Sequence, residues 1–586
     1  MRQWMVAAKK ADFYVIAEKF HVDPVVARII RNREVIGEKN IRIYLGGNLS
    51  DLSDPHQMKD MDRLVEILAQ KIRKQVRIRI IGDYDVDGVT SSHLFLTALR
   101  RVGAKVDVVI PHRIQDGYGL SLHLLQQAKE DGVDTILTCD NGIAAIDEIA
   151  WAKAQKMTVL VTDHHAVPFE EHEGRRTEKK SLADAVVNPH QQDCGYPYKE
   201  LCGAGVAWNV IRVLYENYDM DKREAEDLLD FVAMATVCDV MSLTGENRIL
   251  VKEGLKRIRH TKNIGLQALM QACNVQPENI SAYHFGYVLG PCVNATGRLD
   301  TARHALRLFE TGQETEAEEI ARDLVDLNQE RKELTLQGVE MAKKLCEEGG
   351  YENDPVLVLF LPDVHESIAG LIAGRIREMY NRPVFVLTRG EEGVKGSGRS
   401  TENYSMYENM CGCAELFTKF GGHPMAAGLS LPEENVEKFR RKINENCPLT
   451  VEEVCPDIHI DMAMPVGYAS TELVHQFALL EPFGKDNPSP LFADRNLSIS
   501  RMWLIGKNRN VLRMSVLSEY GQPVPVIFFG DVETLFAYFT EKFGQKEVEN
   551  ALHGRKNRIL FSMVYTAKID FYQGNENLQL EMKYYR

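Results

Sequence analysis

Between residues 76 and 165, short apolar runs alternate with stretches of helical periodicity: "VRIRIIG", "KVDVVIP", "DTILTCD" and "TVLVTDHH". Strand-sized apolar runs separated by helix-sized patterns predict βα units on a parallel sheet. Three of the runs end in acidic or imidazole residues. Asp83, Asp85 and Asp87 follow the first, Asp140 the third, and Asp163-His164-His165 the fourth. Open α/β sheets bind ligands beyond the carboxyl ends of their strands. The fold class is therefore α/β, and the three clusters are expected to converge in one crevice.

Aspartate is depleted in strands, so a ladder of three at a strand end needs a reason. Alternate positions put two carboxylates on the same side of an extended segment, and Gly88 then allows a tight turn into a helix. A single aspartate there reads as a turn or N-cap residue. Four carboxylates in one pocket repel, raise one another's pKa values and destabilise the fold unless cations balance them. Oxygen and imidazole donors suit hard or borderline divalent ions. Two such ions about 3.5–4 Å apart can clamp the attacking water and leaving oxygen of a phosphodiester. His164 and His165 point opposite ways on an extended segment, so one is expected to ligate metal and the other to face substrate.

The chain of 586 residues is too long for one core and predicts roughly three or four domains. Five segments are expected: a helical leader packing on the core at 1–75, the βα catalytic domain at 76–300, a long connecting helix at 301–350, a second α/β domain at 351–450, and a C-terminal β-barrel at 451–586. Residues 166–182 read as a charged loop. The connecting helix holds no proline, and its late Gly338 is tolerable. With 44% hydrophobic and 26% charged residues, the composition is that of a globular protein. A net charge of −14 argues against a protein coated in nucleic acid, but not against a basic groove on an acidic body. No apolar run is long enough to cross a membrane, and the N-terminus lacks a secretory h-region. Eleven cysteines without a CxxC pair read as reduced thiols in the cytoplasm.

In order, "DYDVDG", "CDNGI", "TDHHA" and "ATVCDV" resemble the motifs of the DHH phosphoesterases. The resemblance continues through "NPHQ", "CGAGVAW", "VNATGRLD", "VKGSGRS", "FGGHPMAAGLSL" and "LLEPFGKDNPSPLF", and covers the chain from about residue 40. Within that family the chain is similar to bacterial exonucleases specific for single-stranded DNA. The resemblance implies Asp85, Asp87, Asp140, His164 and Asp239 as ligands, with Asp140 bridging two manganese or magnesium ions. It makes His165 a contact to the scissile phosphate and Asp83 a support for the cluster. Some relatives carry a histidine ligand where this chain has Ile81.

Substrate would be gripped by Ser397, Arg399 and Ser400 in "KGSGRS", whose glycines let backbone and side-chain donors approach phosphate. His423 in "GGH" and Arg298 in "NATGRLD" join them by resemblance. Arg113 and Tyr118 in "PHRIQDGYGLS" suit a terminal nucleotide, one on phosphate and one stacking on a base, which is worth about 1–3 kcal/mol. Phe483, Arg501 and Trp503 are candidate contacts in the barrel, which resembles an OB-fold. The implied function is a metal-dependent 5′-to-3′ exonuclease on single-stranded DNA, releasing 5′-mononucleotides in repair and recombination. It is expected to be a monomer with no membrane attachment, and a single-strand-binding protein or a helicase is its candidate protein partner. Two other readings are a short-oligonucleotide or cyclic-dinucleotide phosphodiesterase, and a non-catalytic replication scaffold.

Overall fold

The computed structural model describes every residue except 1, 2, 114, 115, 117, 118, 173, 174, 391, 392, 507, 508 and 573. These fall into two compact units, one of residues 52–242 and 246–456, the other of residues 3–51, 243–245 and 457–586.

In the first unit, β1 (Arg77–Ile81), β2 (Lys105–Val109), β3 (Thr135–Cys139), β4 (Thr158–Thr162) and β5 (Ala185–Val187) form a parallel sheet in the order β2-β1-β3-β4-β5. The last four residues of β1 are all buried, including Ile81, which packs in the apolar core beside the sheet. The order reverses around β1, so its carboxyl end and that of β3 flank the topological switch point. The aspartate ladder and Asp140 stand there. Helix α1 (Val86–Arg101) leaves the ladder directly, and α2 (Gly203–Asn217) and α3 (Leu229–Cys238) pack against it. In place of the expected loop at 166–182 an antiparallel hairpin pairs Phe169–His172 with Arg175–Glu178.

After α4 (Ile264–Ala272) and α5 (Gly290–Leu299), the 35-residue helix α6 (Glu314–Glu348) extends roughly 50 Å. Its first half buries Ala317, Ile320 and Leu324. Its second half sends Val339, Ala342 and Cys346 into the core of the second α/β domain. Gly338 is required there: a Cβ would come within 2.3 Å of Ile372 Cδ1 on the crossing helix α7 (Glu366–Tyr380). The sheet beneath comprises β6 (Leu357–Phe360), β7 (Val384–Arg389), β8 (Val394–Arg399), β9 (Lys419–His423) and β10 (Ala426–Leu431), in the order β9-β10-β8-β7-β6. Only β6 and β7 are parallel neighbours.

The second unit holds β11 (Phe492–Ile505), β12 (Val511–Leu517), β13 (Pro523–Phe528), β14 (Leu560–Tyr572) and β15 (Asn575–Tyr585). They pair in the order β11-β12-β13-β15-β14, and β14 returns to β11 to close a barrel. Register shifts near Asp494 and Ile499 let the long β11 bend between its two partners. The expected leader at 1–75 divides. Helices Phe13–Phe20, Pro24–Asn32 and Glu38–Gly46 bury Val26, Ile29, Ile30 and Tyr44 in the barrel's core. Strand Trp4–Val6 pairs in parallel with Ile458–Ile460, and Arg33 meets the buried Asp461 at 2.9 Å. Helix Met61–Arg73 belongs instead to the first unit, where its apolar stripe Leu64, Leu68 and Ile72 is buried.

Candidate metal centre and cationic groove

The strand ends place their acidic residues by different local devices. Asp85 caps α1, its Oδ1 accepting from Gly88 N at 3.0 Å. Asp87, in the first turn of α1, turns to the start of α2, where Gly203 N and Ala204 N donate to its two oxygens at 2.6 and 2.7 Å. A helix N-terminus is a favourable place for an anion. Gly203 is needed because a Cβ there would lie 2.6 Å from Asp140 Cβ. Asp140 leaves β3 in the left-handed region at φ 61°, with Asn141 Nδ2 pinning the turn to Ile81 O and Cys139 O. Asp239 caps the C-terminal end of α3.

These devices bring the side chains together. His164 Nε2 lies 3.0 Å from Asp140 Oδ1, 3.6 Å from Asp239 Oδ2 and 3.7 Å from Asp87 Oδ2. Three overlapping sets have donor atoms within 4.8 Å of one another: Asp140, His164 and His165; Asp87, His164 and Asp239; Asp83, Asp85 and Asp140. Burial and neighbouring carboxylates push Asp83 and Asp140 well above the usual range, and Asp85 is raised for the same reasons. Burial lowers His164 and so keeps its ring neutral, the form that ligates metal. Asp83 Oδ1 and His164 Nε2 are buried without a hydrogen-bond partner. Orphaned oxygen and imidazole donors facing a shared space fit a hard or borderline divalent cation.

His165 is different in kind. Its Nδ1 bonds Asp163 Oδ1 at 2.8 Å, and its side chain is 40% exposed. Burial pulls its pKa down, but the bond to Asp163 and the charges of Asp163, Asp239 and Asp87 outweigh this and raise it to about 9. The two side chains do not point opposite ways as an extended segment predicts: their rings lie 4.4 Å apart and both approach Asp140 Oδ1, at 3.0 and 3.9 Å, so they differ in burial and charge rather than in direction. Sequence reasoning gives Asp163 no role of its own, although it stands directly before the histidine pair. Its carboxylate also accepts from Ile143 N, His164 N and His165 N, at 2.7–3.0 Å.

Beside the cluster lies a groove of about 440 Å³ whose lining includes Tyr84, Arg113, Glu366, Lys395, Ser397, Lys419 and Phe420. Tyr84 belongs to both sites, standing between Asp83 and Asp85 with the Arg113 guanidinium 4.9 Å over its ring. Arg298 Nη1 donates to Ser367 O at 2.6 Å, and Arg399 Nη1 to Gly398 O at 2.8 Å. Burial pushes Arg298 down to about 10, followed by the charges of Arg113, Arg331 and Arg399. Arg399 is likewise lowered by burial, then by Arg113 and Arg377. These guanidiniums stand close enough to repel and lack the solvation that would offset it, which is the electrostatics of an anion site.

The second sheet's register builds the rest of the groove. Lys395, Ser430 and Lys419 align across β8, β10 and β9, and Ser397, Gly428 and Gly421 form the next row. The glycines of "KGSGRS" have another reason than phosphate approach: a Cβ at Gly396 would meet Leu387 at 2.4 Å, and one at Gly398 would meet Met406 Sδ at 2.3 Å. They face the apolar core, whereas Gly421 and Gly428 leave the floor of the groove open. Ser400 is buried with its hydroxyl on Tyr404 O at 2.6 Å, so it stands outside the groove. His423 is exposed at the end of β9 and does not line the groove. Tyr118 lies outside the described residues. In the barrel unit, Phe483 is half-buried against the core, while Arg501 lies 5.7 Å over the ring of Trp503. Lys395, Lys419 and Phe420 escape sequence reasoning because their convergence depends on hairpin register, although Lys395 precedes Ser397 by two residues and so shares its face.

Comparison with known proteins gives the class first: residues 77–236 match the DHH family, N-terminal domain, residues 353–447 the DHHA1 domain and residues 460–584 the RecJ OB domain. The chain is 32% identical to the single-stranded-DNA-specific exonuclease RecJ of Haemophilus influenzae over 582 residues, covering 96% of each. It is 33% identical to the Bacillus subtilis protein of that name over 511 residues, covering 86% of this chain; the match spans 63% of the Bacillus protein's length. The fold superposes on the crystal structure of RecJ from Thermus thermophilus in complex with Mn2+ with a TM-score of 0.81 and 25% identity, covering 100% of this chain and 79% of that one. A crystal structure of exonuclease RecJ bound to manganese matches with a TM-score of 0.57 and 32% identity, covering 66% of this chain and 94% of that one. The chain belongs to the RecJ family. Among the described residues no helix is long and apolar enough to cross a membrane.

Proposed function

We propose that this protein is a metal-dependent exonuclease that degrades single-stranded DNA from the 5′ end and releases 5′-mononucleotides during repair and recombination. The observation that carries this reading is the adjacency of a carboxylate–histidine cluster and a groove lined by Arg113, Lys395 and Lys419, joined through Tyr84. The relatives' names supply the substrate class, single-stranded DNA. The 5′ polarity comes from the family resemblance.

In this reading Asp85, Asp87, Asp140, His164 and Asp239 hold two divalent cations, manganese or magnesium, with Asp140 shared and Asp83 supporting the cluster. Such cations supply positive charge against the phosphodiester's developing negative charge and make water a better nucleophile at neutral pH. The chain's own groups do the rest. The Asp163 carboxylate, bonded to Nδ1 at 2.8 Å, favours the protonated ring of His165. Since Nδ1 is engaged by Asp163, the ring's Nε2–H is the donor that a phosphate oxygen would meet. Arg113, Arg298 and Arg399 bind the strand's phosphates, with Ser397, Lys395 and Lys419 beside them, while Tyr84 and Phe420 offer apolar surface to a sugar or base. Ser400 and His423 are given no contact.

The reading extends to a cytoplasmic monomer supplied with strand by a single-strand-binding protein or a helicase. One chain contributes every residue of the site, which supports the monomer. The test offers 5′-labelled single-stranded DNA, duplex DNA and a dinucleotide, each with manganese, magnesium or chelator. Mononucleotide should be released from the long single strand, and only with metal. Cleavage of the dinucleotide alone would sink the reading.

A further inference from the structure

Away from the metal centre, the sulfurs of Cys273 and Cys292 lie 3.8 Å apart. Cys273 is half-buried at the C-terminal cap of α4, and Cys292 is buried within α5. The Cys292 sulfur is further fixed by Asn328 Nδ2 of α6 at 3.4 Å, and its thiol reaches Val288 O at 3.3 Å. Asn328 is itself held by Arg331, whose Nη2 donates to Oδ1 at 2.8 Å. The proposed hydrolysis uses neither thiol. One sulfur reachable from solvent and touching a second that is locked inside is the arrangement of an attacking and a resolving cysteine.

We propose that Cys273 and Cys292 are a peroxide-responsive modification site, forming a reversible disulfide that ties α4 to α5. The Cys273 thiolate attacks one oxygen of hydrogen peroxide, breaking the O–O bond. The departing oxygen takes a proton and leaves as water, and Cys273 becomes a sulfenic acid. Cys292 then gives up its proton and attacks the Cys273 sulfur, forming the S–S bond and expelling a second water. The two thiols lose two electrons and two protons, and peroxide is reduced to two waters. The order of attack has an electrostatic reason. The Cys292 hydrogen bond and the charge of Lys332 hold Cys273 below its ordinary range against the effect of burial. Cys292 is raised by its bond to Cys273 and by burial.

The tie has somewhere to act. A disulfide needs its sulfurs about 2.05 Å apart, so the 3.8 Å gap closes by rotation of the two side chains and by any shift of α4 against α5 that the new bond imposes. α5 also carries Asn294, whose Oδ1 accepts from Val86 N at 3.2 Å, Gly297, where a Cβ would meet Tyr84 O at 2.4 Å, and Arg298. Displacing α5 therefore disturbs the aspartate ladder and the groove together. The disulfide stands apart from the nuclease reading; its effect on strand binding rests on it.

Reduced full-length protein is exposed to hydrogen peroxide, its remaining thiols are blocked, and it is digested and mapped by mass spectrometry without reductant. The expected result is a Cys273–Cys292 linked peptide pair that dithiothreitol separates. In Cys292→Ala, Cys273 should accumulate as a sulfenic acid trapped by dimedone; in Cys273→Ser, Cys292 should remain a thiol. No linked pair in the wild type, or a dimedone adduct on Cys292 instead, overturns the site. Binding of a labelled oligothymidylate in chelator, followed by fluorescence anisotropy, reads the coupling. Oxidation should weaken it several-fold in the wild type and leave Cys273→Ser unchanged. Equal affinities of linked and reduced protein overturn the coupling. A reduced protein that binds no oligonucleotide overturns the nuclease reading and leaves a mapped disulfide intact.

Discussion

Asp140 is buried in a left-handed turn with four other carboxylates acting on it, so its negative charge is unfavourable until a cation arrives. A folded-state pKa above the unfolded value means that ionisation at neutral pH destabilises the fold. Asp140→Asn should therefore abolish metal-dependent hydrolysis while raising the melting temperature in chelator, by about 1 °C for each kcal/mol relieved in a unit of this size. Thermal melts with and without manganese check this: the metal should stabilise the wild type and have much less effect on the variant. Asp163 makes a second prediction. Asp163→Asn keeps an acceptor oxygen for His164 N and His165 N, loses the one that takes Ile143 N, and removes the charge that favours the His165 proton. Activity should fall about 10- to 100-fold, with oligonucleotide affinity in chelator close to that of the wild type. The ladder, Asp140 and the histidine pair were legible because acidic residues at the ends of buried strands have few other uses. Ser400 was not, because a motif does not say which of its hydroxyls the backbone will claim.

At the scale of elements, the contact between α1 and α3 carries two titrating groups of opposite sign. His93 of α1 is buried with its ring 4.4 Å from Phe231 and 5.9 Å from Phe309, and burial lowers its pKa to about 3. Asp230 in the first turn of α3 accepts from Thr261 Oγ1 at 2.6 Å, yet burial raises it to about 6. His93 supports the fold fully above its unfolded pKa of 6.5, and that support is lost as pH falls toward 3. Asp230 works the other way: its contribution is complete below its unfolded value of 3.8 and is lost as pH rises through 6. The Asp230 difference corresponds to roughly 3 kcal/mol. Asp230→Asn should thus be more stable than the wild type at pH 7.5, by up to that amount, and should lose stability more steeply between pH 6 and pH 4. Urea denaturation across that range measures both. Most helical and strand elements were legible from their periodicity, but the helix expected over 301–350 breaks after Glu310, leaving Arg303–Glu310 as a separate helix before α6, and the hairpin at 169–178 was not foreseen. The fate of the first fifty residues was not, because Trp4–Val6 finds its partner strand only at Ile458–Ile460, and local pattern carries no record of so distant a pairing.

Across the whole molecule, a net charge of −14 conceals two opposed concentrations of charge in one unit: the carboxylates around Asp140, and the guanidiniums of Arg113, Arg298 and Arg399. Each cluster is poorly compensated within the protein, and each calls for a ligand of the opposite sign, cations for the first and phosphates for the second. Composition reports only their sum, which is why the sequence showed that a basic groove was allowed without showing where it lay. The two halves can be tested separately because a strand's phosphates engage the arginines without any need for hydrolysis. Arg399 is the suitable probe, since among the described residues its Nη1 donates to a carbonyl of its own strand and its neighbours Arg113 and Arg377 repel it. In chelator, Arg399→Gln should weaken the binding of oligothymidylate and of a mixed-sequence oligonucleotide by the same factor. It should also reduce the slope of log affinity against log salt by about 0.7, the value for one phosphate contact on a single strand. Relief of the repulsion should leave the variant at least as stable as the wild type, so weaker binding cannot be laid to a damaged fold. Anisotropy titrations from low to high salt decide the matter: an unchanged slope would place Arg399 outside the strand's path.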